Sequence, residues 1–443
     1  MSPWLPDPPS DLRPPLAQDL SADVAIVGGG CSGLSTALHL RAHGARVVVL
    51  EREFAGSGAT GRNAGHLAGP AVMDLPLVVR LNGRRRTEQL VRFARAAVAY
   101  LERQLDAWGI DCDYRPSGLL MAAVHPRQER RVREWIALCG RFGLHLALLP
   151  RQALAERGIP STFLCAAYDA TGGVFDPGRL ALGLRRAALA AGAAIFEQTD
   201  VRRVEPGRRV RLRCAGGTVT ADRVVLATNA YTRELRRRPR TVLPLRISGF
   251  ETAPLGEAQL EALGWRRFEA LNTMHQVLES YRRTERGSVA GTSKVFTHRF
   301  GGRRPAAYAP ADFRCLEQGF RARFPMLADV PLRSFWSGWI AQTTAFRPVL
   351  GVSAGRGNLL LGLGYCGHGV AQGTLMGAVL AQRIAGGRHP LEECVRRRAL
   401  SWPPEPLTWG AVGLLRAAML GADRRTDRAL RKAAGTTSGG PRP

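Results

Sequence analysis

Three glycine-lined segments and one pair of arginines hold most of the chemistry this chain can offer. The first is Asp23-Val-Ala-Ile-Val-Gly28-Gly29-Gly30-Cys31-Ser32-Gly33. An apolar run enters a G-x-G-x-x-G turn, a helix-like run from Leu34 to His43 leaves it, and a second apolar run from Ala45 to Leu50 ends on Glu51. That spacing predicts a dinucleotide-binding βαβ unit. Gly28 allows the tight turn, Gly30 lets the backbone approach a pyrophosphate, and Gly33 lets the helix pack on the sheet. The helix start at Cys31 and Ser32 offers free N–H groups and positive dipole to phosphate oxygens. Glu51, followed by Arg52, stands where a carboxylate accepts from ribose hydroxyls. A glycine-rich structural turn is the bland alternative.

The second segment is Gly56-Ser-Gly-Ala59-Thr60-Gly-Arg62-Asn63-Ala-Gly65. Its glycines allow backbone to approach a flat ring or a phosphate, and Arg62 and Asn63 supply donors; a surface turn is the alternative. The third is Gly362-Leu-Gly364-Tyr-Cys366-Gly367-His368-Gly369-Val370, which joins a buried strand to a long apolar helix. Gly369, Gly373 and Gly377 recur every four residues and so share a helix face able to pack closely on a sheet or a cofactor. A helix N-terminus here offers positive dipole to an anionic ligand group. For His368 a structural hydrogen-bonding role and a catalytic one stand equal, and Cys366 reads as a packed thiol.

Tyr281-Arg282-Arg283 precedes a turn and a strand from Gly287 to Gly291. A substrate carboxylate is best held by a bidentate arginine. On a strand the two arginines face opposite sides, so only one can reach a ligand; a solvated surface is the alternative for either. Tyr281 and His275 are weaker pocket candidates.

These residues need a scaffold. The pattern predicts helices over Thr87–Trp108, Pro126–Phe142, Gly178–Ala191, Ala311–Phe324 and Gly367–Ala385, and a short apolar strand over Gly118–Val124. Further strands are expected over Ala194–Glu197, Val210–Cys214, Thr218–Ala221, Arg223–Ala227 and Leu359–Leu361, with Gly172–Pro177 as a loop. Cofactor-type elements therefore occur near the start, the middle and the end, with β-rich stretches between them. The expected fold is α/β: a Rossmann-like domain assembled from 21–110, 165–240 and 335–395, plus a β-rich α+β substrate domain from 111–164 and 241–334. Residues 1–20 read as an extended arm. Residues 396–443 read as a helical segment around Trp402–Leu420 and a disordered Gly/Ser/Pro tail after Gly435.

Composition narrows the classes. The chain has 443 residues, 45% of them hydrophobic and 22% charged, as in an ordinary globular protein. Its formal charge is +27, yet Lys294 and Lys432 are the only lysines. The arginines are scattered, with short clusters at 84–86, 236–238 and 396–398. That scatter argues against specific nucleic-acid binding and leaves a general attraction to anionic substrates or surfaces open. Eight cysteines form no C-x-x-C pair and no zinc spacing, so no metal site is expected and reduced thiols in a cytoplasm fit. Gly357 to Gln382 lacks Asp, Glu, Lys and Arg, but its glycines and His368 make it a strand, turn and helix rather than a membrane span.

The ordered segments resemble the FAD-dependent D-amino-acid-oxidase-like superfamily, in the branch of γ-glutamylputrescine and glycine oxidases. The resemblance rests on the βαβ unit, Ala59–Gly65, Val224-Val-Leu-Ala-Thr-Asn-Ala-Tyr231, Gly338-Trp-Ile-Ala-Gln-Thr343 and Gly364-Tyr-Cys-Gly-His-Gly-Val370, spread over residues 23 to about 388. It implies FAD held by Gly28, Gly30, Cys31, Ser32, Gly33, Glu51, Arg52, Ala59, Thr60, Arg62, Asn63, Gly65, Gly364, Gly367, His368, Gly369 and Val370. It also implies an adenine contact at Val201; Asn229 either caps its turn or lies by the cofactor. The implied reaction moves a hydride from an amine or amino acid to flavin N5, after which water hydrolyses the imine. Oxygen or another acceptor then reoxidises the flavin. The catalytic candidates are Arg282, Arg283, Tyr281 and His368. Arg286-Gly287 and Ala345 depart from the family pattern of Asp-Gly and an acidic residue, which unsettles the substrate but not the cofactor. A flavin dehydrogenase of another small metabolite is the nearest rival. A basic polyanion-binding protein is a remote one.

Overall fold

The computed structural model describes residues 2–70, 74–235, 240–307, 310–352, 356–396 and 400–437. Its first sheet is built from distant pieces of chain. Strand Leu20–Val27 lies at the centre, parallel to Val47–Leu50 on one side and to Thr218–Leu226 on the other. Ala194–Phe196 extends the sheet beyond Val47–Leu50, and Leu359–Leu363 extends it beyond Thr218–Leu226, both in parallel. Antiparallel Val349–Val352 closes that edge. The central strands are apolar at successive positions because both faces are covered: Ala25, Ile26, Val49, Val224 and Val225 are fully buried.

Helices Cys31–Ala42 and Gly369–Ile384 cover one face and pack closely on each other. The packing is possible because of two glycines. A Cβ on Gly377 would lie 2.5 Å from Ser35 Cβ, and one on Gly373 would lie 2.9 Å from Ser32 Oγ. The glycine face expected to meet a sheet or a cofactor thus meets the other helix, and Ser35 Oγ donates to Thr374 O across it at 2.7 Å.

The second sheet is mixed, in the order Leu332–Gln342, Leu243–Thr252, Val289–Thr297, Ser280–Arg283, Ala270–Thr273, Leu119–Ala123, Cys165–Asp169, Ala147–Pro150. Two expected boundaries move as a result. Strand Cys165–Asp169 pairs with Leu119–Ala123 in this sheet, and so does the whole of Leu332–Gln342 with Leu243–Thr252. Sequence periodicity reports a strand but not the sheet it joins.

Other expectations shift for local reasons. Thr218–Leu226 is one strand rather than two, because it pairs without a break along Leu20–Val27. Gly172–Val174 forms a two-stranded ribbon with His66–Ala68 instead of a loop. Helix Leu75–Asn82, capped by Asp74, escaped notice because it is short. The last helix runs over Leu407–Thr437, past Gly435; the rest of the expected tail lies outside the described residues, as do parts of the arginine clusters at 236–238 and 396–398. No helix among the described residues is long and apolar enough to cross a membrane.

The arm before Leu20 is pinned by charge as well as packing. Arg185 and Glu197 are buried and doubly hydrogen-bonded, both contacts at 2.9 Å. Arg185 also grips both oxygens of Asp11, while Glu197 accepts from the Ala55 and Arg13 N–H groups. All the donors are met, which is what makes a buried ion pair tolerable.

Candidate active site

The carboxyl ends of the parallel strands open into a cavity of about 750 Å³, where open α/β sheets bind ligands. All three glycine segments reach it. Gly28, Gly30, Cys31 and Ser32 line it from the first turn, Glu51 and Arg52 from the second strand, and Ala59, Thr60, Arg62 and Asn63 from the loop. Val201, Asn229, Gly367, His368, Gly369 and Val370 complete the side that faces the first sheet.

The first turn has the shape of a phosphate cradle. Gly28 sits at φ +106°, and a Cβ on Gly33 would lie 1.9 Å from the Gly28 carbonyl oxygen. Gly33 therefore acts through packing and does not itself line the cavity. Gly30 caps the helix without a side chain, so the first-turn N–H groups keep their capacity for an anion. The Cys31 N–H is the exception, donating to Thr60 Oγ1 at 3.1 Å and tying the loop to the helix. Ser32 Oγ and Tyr365 Oη share a 2.6 Å hydrogen bond that ties the third segment to the first.

Glu51 accepts from the Gly29 N–H at 2.7 Å and the Glu53 N–H at 3.0 Å, which orients its carboxylate at the strand end. Desolvation raises its pKa, so a donor such as a ribose hydroxyl would be favourable there. Arg52 is pulled aside, paired with Glu234 at 2.7 Å and lying over the Tyr231 ring. Asn229 Oδ1 accepts from the Gly364 N–H at 3.0 Å, linking the ends of two adjacent strands. Gly364 itself, at φ +78°, does not line the cavity.

The Ala59–Gly65 loop is held from outside by its own carbonyls. Trp336 Nε1 donates to Arg62 O at 3.0 Å, Trp4 Nε1 to Asn63 O at 3.0 Å, and Arg282 Nε to Ala64 O at 2.8 Å. Trp4 and Trp336 meet edge to face, and the Arg282 guanidinium covers Trp4 at 4.6 Å. Ser2 Oγ adds a bond to Gly61 O. Arg286, the residue that departs from the family pattern, donates to Pro3 O and lies over Trp4.

This arrangement separates the catalytic candidates. Strand alternation puts Ser280 and Arg282 on one side and Tyr281 and Arg283 on the other. Tyr281 is buried among Phe250 and Phe324, and Arg283 donates to Trp265 O and lies over Phe268. Neither lines the cavity. Arg282 is on the correct side but does not line it either: its Nε donates to Ala64 O behind the loop, while its buried Nη2 has no hydrogen-bond partner. Gly65 is likewise a packing position: a Cβ there would lie 2.6 Å from Arg282 Nε. His275 is buried in an ionic cluster with Glu279 and Asp427. His368 does line the cavity, at the N-cap of Gly369–Ile384, and desolvation at that wall lowers its pKa to about 4.

Residues outside the catalytic and cofactor candidates also converge. His66, Asp74, Asn272, Ser280, Trp336 and Gln342 line the half of the cavity that faces the second sheet. His66 Nε2 and Gln372 Oε1 are buried without a hydrogen-bond partner. Of these, only the ATGRNAGH run carries a local signal, since His66 follows the loop directly. The others come from strands and helices whose pairing places them. The uncapped glycine turn, the strand-end Glu51 and these unpartnered polar atoms fit a dinucleotide whose flat ring lies against the loop and the third segment.

Comparison with known proteins agrees. The chain is 29% identical over 377 residues to gamma-glutamylputrescine oxidoreductase of Escherichia coli (strain K12), covering 84% of this chain and 85% of the relative. It is 29% identical over 388 residues to probable oxidoreductase OrdL of Rhizobium meliloti (strain 1021), covering 86% of each. Glycine oxidase from Geobacillus kaustophilus shares the fold, with a TM-score of 0.73 at 22% identity over 86% of this chain and 100% of that one. So does L-proline dehydrogenase from P. horikoshii, with a TM-score of 0.71 at 20% identity over 85% of this chain and 97% of that one. Residues 23–383 match the DAO model, described as FAD dependent oxidoreductase, and the chain belongs to that family.

Proposed function

We propose that this FAD-dependent oxidoreductase oxidises a C–N bond of an amine, in preference to a free α-amino acid. The observation that carries the reading is the lining of the cavity half that faces the second sheet. Leu119, Ile247, Leu278, Ile340 and Phe346 make it apolar; Asp74 is its carboxylate, and the arginines of the lining, Arg52, Arg62 and Arg202, belong to the nucleotide half. Among the described residues that line this half there is no guanidinium for a substrate carboxylate, Arg282 standing behind the loop, whereas an ammonium group would find Asp74. Burial pushes the Asp74 pKa up, and a cationic partner would act in the opposite direction.

His66 is the group placed to meet the substrate nitrogen. Burial and the nearby Arg282 cation lower its pKa to about 3, and the ring is hydrogen-bonded to the Tyr281 backbone. A donor to that carbonyl leaves Nε2 as the acceptor, and Nε2 is the atom without a partner. It is suited to accept a hydrogen bond from an N–H of the substrate amine and so to orient the nitrogen. The bound flavin supplies the two-electron acceptor. Asn272 and Ser280, joined by a 2.6 Å hydrogen bond, offer fixed polar contacts beside it. The name of the Escherichia coli relative, with putrescine in it, supports an amine substrate.

Oxygen or another acceptor takes the electrons onward, and a dehydrogenase using a different acceptor is the second reading. A cytoplasmic setting is part of the same proposal, supported by eight free thiols, five of them buried. The test is anaerobic mixing of the yellow protein with a panel of amines and α-amino acids. Bleaching by amines, faster than by amino acids of equal size, is expected. If no member of the panel reduces the flavin, amine oxidation is withdrawn and only the flavin-dependent family assignment stands. Oxygen uptake against dye reduction then separates oxidase from dehydrogenase.

A further inference from the structure

We infer that the last helix seats the protein on an anionic lipid surface, lying on the bilayer rather than crossing it. The inference starts from where apolar side chains are left uncovered. Among the described residues, five of the eight exposed large hydrophobics lie on or against the helix Leu407–Thr437: Leu407, Trp409, Leu414 and Leu415 on it, and Phe300 against Trp409. Leu414 is 75% exposed and Trp409 53%, with Phe300 edge-on to Trp409 at 6.3 Å. Scattered apolar residues on a surface need no explanation; a contiguous group does.

Helix geometry shows that this is a face and not a fraying end. Thr408, Val412 and Asp423 point inward, with Val412 packed on Leu243 and Leu245 and the Asp423 carboxylate accepting from the Gln276 and Val277 N–H groups. The opposite side runs Leu407, Ala411, Leu414, Leu415 and Ala418, all exposed, at the i, i+4, i+7, i+8, i+11 spacing of one stripe. Its charges are sorted by sign. The three carboxylates of the described part of this region are all held by the protein: Glu405 by His298 and the Trp409 N–H, Asp423 as above, and Asp427 by Arg323 at 2.7 Å. Arg424, Arg425 and Arg428 are exposed on the turns that follow the stripe.

An exposed stripe of leucine and alanine side chains, bordered by outward arginines, with Trp409 and Phe300 meeting on another exposed flank of the same helix, matches an interfacial helix. Charge complementarity selects the occupant. A second copy of the chain would bring the same arginines and the same formal +27 against themselves, whereas anionic headgroups neutralise them while acyl chains cover the leucines. The stripe is also the convex outside of a helix and lines neither of the two described cavities, so it offers no pocket for a protein anchor residue.

The test is co-sedimentation of the FAD-loaded protein with vesicles of phosphatidylcholine alone or mixed with phosphatidylglycerol, at physiological salt. Binding is expected only to the mixed vesicles. Leu414→Asp/Leu415→Asp, which leaves every arginine in place, should weaken it about tenfold or more, with flavin absorbance and solution turnover unchanged. Wild-type protein that stays in the supernatant overturns the inference. So does a double variant that binds as wild type does, because charge alone would then account for binding. A wild-type dimer in light scattering that the variant converts to monomer, without vesicle binding, would assign the face to a second copy instead.

Discussion

Replacing Arg282 with Met separates two roles that the strand position permits: holding a substrate carboxylate, or anchoring the flavin-facing loop. The structure favours the anchor, since Arg282 Nε donates to Ala64 O at 2.8 Å and the guanidinium covers Trp4. Losing a hydrogen bond from a charged donor costs about 1.5–3 kcal/mol, and losing the ring contact about 1–2 kcal/mol more. Against this stands the burial of the cation, which lowers its pKa from 12.5 to about 10. A shift of that size corresponds to about 3 kcal/mol of destabilisation of the charged form, which an apolar side chain of similar length removes. Global stability of the apoprotein should therefore change by about 2 kcal/mol or less in urea unfolding. The loop, however, loses one of the four side-chain donors that fix its consecutive carbonyls. If about 2 kcal/mol of that restraint is expressed in cofactor binding, the FAD Kd rises about 30-fold, measured by quenching of flavin fluorescence on titration. KM values for substrates with and without a carboxylate should move together. An unchanged FAD Kd, with KM raised only for the carboxylate-bearing substrates, would refute the anchor and restore Arg282 to the substrate.

Three further outcomes follow from the same geometry. Gly33→Ala places a methyl 1.9 Å from the Gly28 carbonyl; overpacking of this kind costs about 1–3 kcal/mol, and FAD affinity should fall about tenfold or more, whereas an equal Kd would show that the turn relaxes freely. Glu197→Leu leaves the buried Arg185 without its bidentate partner and should lower stability by about 3–5 kcal/mol in thermal or urea unfolding; a loss below 1 kcal/mol would mean that Asp11 suffices. The third concerns acid. His66 and His368 have folded pKa values lowered to about 3 and about 4 from an ordinary 6.5. The unfolded chain therefore binds the extra protons first, and stability falls as pH drops from about 6.5 toward 4. His368→Asn should flatten that limb of a Tm-against-pH curve by a few degrees, and an identical slope in the variant would assign the acid sensitivity elsewhere.

The nucleotide half was legible because its chemistry is local. Gly28, Gly30, Gly33 and Glu51 act through one turn and the strand after it, so their spacing along the chain is their spacing in space. The loop Ala59–Gly65 and the third segment carried their own glycine signals, and both reach the cavity. What each glycine packs against was not legible. Gly373 and Gly377 meet Ser32 and Ser35, more than 330 residues away along the chain, and four-residue spacing states only that a face is small.

The substrate half was hidden for a different reason. Arg282 and Arg283 differ only in strand parity, and alternation states that they part without stating which side is the cavity. That was decided by the pairing of Ser280–Arg283 between Val289–Thr297 and Ala270–Thr273, together with the segment Ser2–Leu5, which brings Trp4 under the loop. Asp74, His66 and Asn272 belong to three elements with no common motif, a helix N-terminus and two strands of different sheets, and only tertiary packing assembles them. Local backbone conformation and glycine spacing thus determined dinucleotide binding and the fold class from sequence, and the family resemblance supplied FAD. Which polar groups face the substrate was settled only by tertiary structure, because side-chain direction in a sheet depends on partners that the strand's own residues do not name.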